Sequence, residues 1–462
     1  MILLKNIKYI YYIYKYLIGD EMTQKIVLIG AGSANFGLEA VSDIYRSKVL
    51  EGSEIILHDT DEASLKETQA VADKYKDQFG VKFSVSSSTD RKEALKGADV
   101  VVISIEIGPR FGLWDQDWKI PQQYGIKQIY AENGGPGGLF HSLRIIPPIL
   151  EICEDINNIC PEAYVYNFSN PMQRICHAVS VKYPDMKFIG LCHAIAEMER
   201  DLPELMKTEF SNIEYRAGGL NHISILVDVK YKDTQKDAYP MIREKALEYY
   251  KNYVIDFEKM NEQSTSPGAE RGIFLKLFET YNFLPITTDS HLGEYLPWAH
   301  SVADHYAILE FYKNYSKNCM TVYKSEEMHG YYFDQKRNSK ERLVDLMEAV
   351  IEDKNMEEAA VNILNKGFIK QIPNDIVVEV PAIVNKDGIK GIALNNYPDS
   401  FASILVNQVG TIRLTTAAVL EKSKEAAFQA LLADPVVDNF NSAEKLLGTM
   451  MKFQSEHLDY LK

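Results

Sequence analysis

Cysteine is scarce in this chain. Five residues in 462, at 153, 160, 176, 192 and 319, are too few and too odd in number for a disulfide framework. That points to a reduced, cytoplasmic setting. No CxxC pair occurs, so no compact zinc-binding repeat is present. Positive charge is also short, with 50 Lys and Arg against 65 Asp and Glu and a net charge of -15. No basic patch stands out, which argues against a nucleic-acid partner. Unbroken apolar runs are missing too. Residues 1–18 are apolar and tyrosine-rich, but Lys5, Lys8 and Lys15 interrupt them and no small-residue cleavage site follows. Residues 1–22 therefore read as a non-native or disordered extension with Met22 as the true start, and no membrane partner is expected. Internal repeats, low-complexity tracts and a flexible linker are absent as well. A hydrophobic fraction of 46% and a charged fraction of 25% leave an ordinary globular chain, long enough for two domains.

The first half carries a dinucleotide pattern. Residues 25–29 form a short apolar run, Gly30-Ala31-Gly32-Ser33-Ala34-Asn35 follows, and 36–46 is helix-like. Glycines at such a turn let backbone approach a pyrophosphate, and the helix N-terminus favours its charge. Gly30, Gly32, Ser33, Asn35 and Phe36 are the candidate contacts, although Asn35 stands where the usual fingerprint has its third glycine. A second strand, 54–58, ends at Asp59. A carboxylate there can accept hydrogen bonds from both ribose hydroxyls and repels a 2′-phosphate, which favours NAD over NADP. The plainer role for Asp59 is a turn residue ahead of a helix capped by Asp61. Helix 62–79, strand 82–86, helix 90–96 and strand 99–105 continue the alternation, so the fold class is α/β with a doubly wound parallel sheet of Rossmann type. The expected division is a dinucleotide-binding domain over 23–195 and a C-terminal α+β domain over 196–462.

Chemistry-bearing residues cluster further on. Glu132-Asn133-Gly134-Gly135-Pro136-Gly137-Gly138 is either a ligand-contacting backbone or a flexible loop. Asn170 follows the strand at 163–168 and can bind a sugar hydroxyl or cap a helix. Gly190-Leu191-Cys192-His193 ends the run 187–191, and Gly219-Leu220-Asn221-His222 opens the strand-like run 223–230. Cys192, His193 and His222 can thus converge at strand ends, where a thiolate and an imidazole suit a divalent metal. Each alone has a blander reading, as a core thiol or an inert imidazole.

Taken in series, Gly30-Ala31-Gly32-Ser33, Gly135-Pro136-Gly137-Gly138, Asn170-Pro171, Gly190-Leu191-Cys192-His193, Gly219-Leu220-Asn221-His222 and the stretch 289–298 resemble glycoside hydrolase family 4, in its α-galactosidase, α-glucosidase and α-galacturonidase branch. The resemblance runs from about residue 25 to 453 and includes Val377-Val378-Glu379-Val380-Pro381-Ala382 and Ala433-Asp434-Pro435. It implies a lactate/malate dehydrogenase-like scaffold and bound NAD with Mn2+ or another divalent metal. It also implies a route in which sugar C3 is oxidised, the C2 proton is lost, the aglycone leaves C1, water adds and the hydride returns. Cys192 and His222 would then be metal ligands, His193 the acid for the departing oxygen and Asn170 a substrate contact. Asp289 is the first candidate for the C2 base, followed by His291 or Tyr295. The phosphate-binding arginine of the phospho-sugar branch has no counterpart in Phe111-Gly112-Leu113-Trp114-Asp115. Arg110 lies near, but Asp115 and Asp117 would repel a phosphate, so an unphosphorylated glycoside is expected. Family likeness also implies a homodimer or homotetramer.

Two other functions fit parts of the pattern. One is an NAD-dependent 2-hydroxyacid dehydrogenase, which has no use for Cys192, and the other is a non-catalytic NAD-sensing protein. In the second half, 223–229 suggests a strand over the cleft, 240–259 and 268–280 helices, and 324–340 a polar surface loop. Residues 343–351 and 357–365 read as helices, 376–384 as a strand, and 410–432 as one long helix.

Overall fold

The structure is a computed structural model, described over residues 23–33, 36–251, 270–321, 324–337 and 342–462. Its first half is built from β1 (Lys25–Ile29), β2 (Glu54–His58), β3 (Ser84–Ser88), β4 (Val100–Ile103), β5 (Tyr164–Asn167) and β6 (Phe188–Gly190). These pair in parallel in the order β3-β2-β1-β4-β5-β6. β1 and β4 read as near-continuous Val, Ile and Leu because helices cover both faces, and all of β4 is buried. Strand order reverses between β1 and β4, which opens a crevice beyond their C-terminal ends. The doubly wound sheet is as expected, with β3 two residues later than the apolar pattern suggested.

The sheet continues into the second half. β7 (Ile213–Leu220) and β8 (Ile223–Tyr231) form an antiparallel hairpin, while β9 (Met356–Leu364), β10 (Val377–Asn385) and β11 (Gly388–Gly391) complete eleven strands. β9 joins β6 at Gly190↔Asn362, and β10 joins β7 at Glu379↔Gly219. Glu379 is buried at this junction and accepts from Asn362 Nδ2 at 3.2 Å and Asn221 Nδ2 at 3.3 Å. One carboxylate thus ties β9 and β10 to the tip of the β7–β8 hairpin.

Four expectations need correction. Residues 357–365 form β9 rather than a helix. Glu357-Glu358-Ala359-Ala360 favours helix locally, but pairing with β10 along the strand overrides that preference. The long helix over 410–432 is two, Val409–Leu420 and Lys424–Ala433, because Lys422 takes a left-handed φ of 56° and Ser423 caps the second. The stretch 324–340 contains helix Glu326–Tyr332, whose Met328 and Tyr332 are buried with Phe333. Gly135, Gly137 and Gly138 belong neither to a flexible loop nor to the cleft wall. They start helix Gly135–Ile159, where a Cβ on Gly137 would come within 2.3 Å of Ala131 Cβ. The proposed helix over 240–259 is seen as Tyr239–Lys251, and its remainder lies outside the described residues.

A buried ion pair fastens the C-terminus to this framework. Arg144 Nη2 donates to Asp117 Oδ2 at 2.6 Å, and Arg144 Nη1 donates to Gln454 Oε1 at 2.7 Å. Gln454 Nε2 closes the triangle on Asp117 Oδ1 at 2.8 Å. Burial raises the Asp117 pKa, and Arg144 opposes that rise. Arg144→Met strands a buried carboxylate, so unfolding in urea is expected to show a loss of about 3–5 kcal/mol.

Candidate functional site

The crevice at the strand ends deepens into a cavity of about 1130 Å³. That exceeds the usual range for a single small ligand. At one end, Gly30 ends β1 with φ +90°, and a Cβ there would sit 2.0 Å from Ser104 O. Only glycine passes so close to the end of β4. Ser33, Phe36 and Asp59 line this end. Gly32 N–H donates to Asp59 Oδ2 at 2.8 Å and Asp61 N–H to Asp59 Oδ1 at 3.0 Å. Both oxygens keep lone pairs for further donors. The Phe36 and Phe168 rings, 5.0 Å apart, form the floor beside helix Phe36–Arg46. Asn35 lies outside the described residues.

At the other end, Asn170, Cys192, His193, His222 and His291 line the same cavity. Cys192 follows β6, and His222 occupies the two-residue tip between β7 and β8. Leu220 pairs with Ile223 across that tip. His222 has φ +66°, a conformation that side-chain-bearing residues avoid at a cost of about 1 kcal/mol. It holds the imidazole at Cys192, with Sγ 3.2 Å from Nε2. Thr287 Oγ1 donates to the His222 carbonyl at 3.0 Å and steadies the tip. Burial, with His291 and His193 nearby, draws the His222 pKa well below the usual imidazole value. The ring is therefore neutral and able to donate a lone pair.

The His291 ring stacks on His222 with centroids 4.1 Å apart and planes 9° from parallel. Burial lowers its pKa as well, against the opposing charge of Glu132. Its Nδ1 lies 3.9 Å from Glu132 Oε2. Glu132 is set in place from behind, because Glu294 Oε1 accepts the backbone N–H of Glu132 at 2.5 Å and of Asn133 at 2.9 Å. Burial pushes the Glu294 carboxyl up to about 8 despite those bonds.

Two predicted site residues face elsewhere. Asp289 is buried, with Oδ1 accepting from Ile273 N at 2.9 Å and Phe274 N at 3.0 Å, and Oδ2 from Asp304 N at 3.1 Å. It serves as a cap for helix Gly272–Tyr281 and does not line the cavity, so the first choice for a proton acceptor is displaced by its hydrogen bonding. Tyr295 is buried behind the hairpin tip, its hydroxyl 3.4 Å from the Asn221 carbonyl. It does not line the cavity either.

The wall beyond His291 joins Arg110 and Glu132 to Glu106 and Tyr315, partners that could not be assigned to them from sequence. Arg110 Nε lies 3.3 Å from Glu106 Oε2, and Nη2 lies 3.4 Å from Glu132 Oε1. Its Nη1 donates to Tyr315 Oη at 2.9 Å, and the cation sits 5.4 Å from the Trp114 ring centroid. Burial works against the Glu106 charge, but His141 and Arg110 bring its pKa down to about 2. Isolated glutamates at 106 and 132 give no periodic or spacing signal, and only the folded cleft gathers them.

The donor set fits a cation. A thiol sulfur and a neutral imidazole nitrogen converge on the cavity, and the Asn170 Oδ1 beside them is buried without a hydrogen-bond partner. Among the described residues no group of three or more His, Cys, Asp or Glu side chains can hold a metal. Any remaining ligands would come from what the cleft binds, as a catalytic rather than a structural site requires.

Comparison with known proteins agrees with this geometry. The family model described as Family 4 glycosyl hydrolase matches residues 25–208, and that of the Family 4 glycosyl hydrolase C-terminal domain matches 217–437. An alpha-glucosidase of Erwinia rhapontici is 46% identical, covering 96% of this chain and all of that protein. An alpha-galactosidase of Bacillus subtilis is 28% identical over 95% of this chain and 99% of its own length. A solved 6-phospho-alpha-glucosidase from gut microorganisms, in complex with NAD and Mn2+, shares the fold with a TM-score of 0.80 at 21% identity. It covers 95% of this chain and 100% of that one. With both family models laid end to end on a matching cleft, the chain belongs to glycosyl hydrolase family 4.

Proposed function

We propose that the chain hydrolyses neutral, unphosphorylated α-glycosides, α-glucosides first among them, with NAD and a divalent metal bound in one cleft. The observation that carries this reading is the 3.2 Å contact between Cys192 Sγ and His222 Nε2, at the far end of a cavity whose near end offers Asp59 and the glycine turn. The 46% identity to an alpha-glucosidase supports the choice of sugar, and NAD with Mn2+ follows the solved relative. Bound NAD would supply a hydride acceptor, and the metal a Lewis acid that makes the C2 proton removable.

The protein's own groups then have separate tasks. Cys192 and His222 would hold the cation, and Asn170 orients a sugar hydroxyl with its unfilled amide oxygen. His193, on the turn His193–Ala196, protonates the departing oxygen. His291 takes the C2 proton, because it is the candidate that lines the cleft, with the Glu132 carboxylate 3.9 Å from its Nδ1. Asp289 and Tyr295 position the segments that carry His291 and His222.

Charge in the cleft supports a neutral sugar. Eight acidic and five basic side chains line it, and Arg110 is matched by two carboxylates and a tyrosine. With its charge already matched, Arg110 offers no net attraction to a phosphate or uronate on the sugar.

Three experiments test the reading. Nitrophenyl α-glucoside, α-galactoside and α-galacturonide, and a 6-phosphorylated glucoside, are assayed with NAD+, Mn2+ and a thiol reductant, each cofactor omitted in turn. Turnover of a neutral α-glycoside that needs all three, slowed by deuterium at C2, is expected. Net NADH release from a hydroxyacid would overturn it. His291→Asn is expected to cut kcat by at least about 10²-fold without losing NAD+ binding. Asp289→Asn is expected to lower Tm with a smaller effect on kcat, and the reverse pattern would restore Asp289 as the base. Alkylation by iodoacetamide is expected first at Cys192, since burial pushes Cys153 up to about 12 and Cys160 to about 11. Mn2+ should slow it, and equal rates with and without metal would count against Cys192 as a ligand.

A further inference from the structure

The segment that follows helix Glu326–Tyr332 takes no part in the chemistry above, yet it reaches the nucleotide end of the cleft. It is anchored there by packing. The Phe333 ring stacks on Tyr75 with centroids 4.3 Å apart and planes within 1° of parallel. Arg46, at the end of helix Phe36–Arg46, donates to the carbonyl of Asp334 from Nε at 3.2 Å and to that of Tyr332. A piece of the second half of the chain therefore crosses onto the first helix of the dinucleotide fold.

Arg337 stands at its end. The side chain is 11% exposed and lines the cavity together with Phe36 and Glu39. Its cation lies 4.7 Å from the Tyr331 ring centroid, and its Nη2 donates to Glu39 Oε1. Its Nη1 is buried and has no hydrogen-bond partner. A guanidinium presents a fork of N–H donors, and one side of this fork is unfilled.

We propose that Arg337 is a phosphate-binding residue of the dinucleotide site, with Nη1 donating to a pyrophosphate oxygen. The proposal rests on the dinucleotide reading above. Ser33 and Phe36 line the same cavity, between the glycine turn and the start of an eleven-residue helix. That helix end attracts an anion, but Glu39 in its first turn repels one. Arg337 cancels the Glu39 charge with one nitrogen and offers the other to the phosphate. The glycine turn therefore supplies close backbone approach, while the far half of the chain supplies the positive charge.

The test is calorimetric titration of the full chain with NAD+, ADP-ribose and adenosine at low salt. R337M is expected to weaken NAD+ and ADP-ribose about tenfold and to leave adenosine within about twofold, because adenosine has no phosphate. E39Q, which removes repulsion and keeps the cation, is expected to bind NAD+ as tightly as the parent or more so. R337K, which keeps a charge without the fork, should fall between. The gap between parent and R337M should narrow as salt rises. Unchanged NAD+ binding by R337M overturns the proposal. Equal weakening by R337M and E39Q also overturns it, since it would mean that the ion pair matters only as an anchor. Equal loss of adenosine would assign the effect to a distorted site and overturn it too. If the parent chain binds neither NAD+ nor ADP-ribose, the dinucleotide reading itself fails, which is a separate result from an unaffected R337M.

Discussion

The site depends on a sulfur and a nitrogen held 3.2 Å apart from opposite halves of the molecule. Neither atom could be placed by its own strand alone. Cys192 leaves the last parallel strand of the dinucleotide fold, and His222 rides a hairpin tip that the C-terminal strands hold in the sheet. The left-handed backbone at His222 and the buried Glu379 beneath Asn221 both run against local preference. Both are intelligible if the imidazole must point one way. The stability they cost is recovered in the packing around them, since the hairpin's Leu220, Ile223 and Ile225 are fully or almost fully buried.

The electrostatics around this pair are arranged so that charge is matched and not accumulated. Imidazoles at 222 and 291 stack as neutral rings, which their burial favours. Arg110 is compensated by Glu106 and Glu132. Such matching orients polar groups without building a field that would trap an anion. The proposed neutral sugar would be bound there through its hydroxyls.

Much of this could be read from residues alone, and the reasons differ by element. Strands β1, β2 and β4 were legible because burial on both faces leaves Val, Ile and Leu runs, whereas the serine-rich, half-exposed β3 was placed two residues early. Asp59 was legible because the fold places a side chain at the end of β2 by topology. Cys192 and His222 were legible as candidates, since each follows or precedes an apolar run. The hydrogen bonding of Asp289 was not legible, because a carboxylate drawn into capping a distant helix looks the same in sequence as one facing a ligand. β9 was missed because its own residues favour helix and only pairing with β10, the next strand along, overrides that preference. Glu106 and Arg337 gave no signal at all, and Glu132 stood out only as part of a glycine-rich stretch, since their meaning lies in what the fold sets beside them.

The unbroken sheet has a mechanical consequence. Because β9 pairs with β6 at Gly190 and the sheet runs on through β10 to β7 at Glu379, the walls of the cleft share one continuous floor and are held from swinging apart like jaws. Traffic in and out must be managed by local displacement of covering segments over a rigid floor. Distances among the reacting groups would then stay fixed through each catalytic cycle, while residence time would be set by small pieces of chain at the rim.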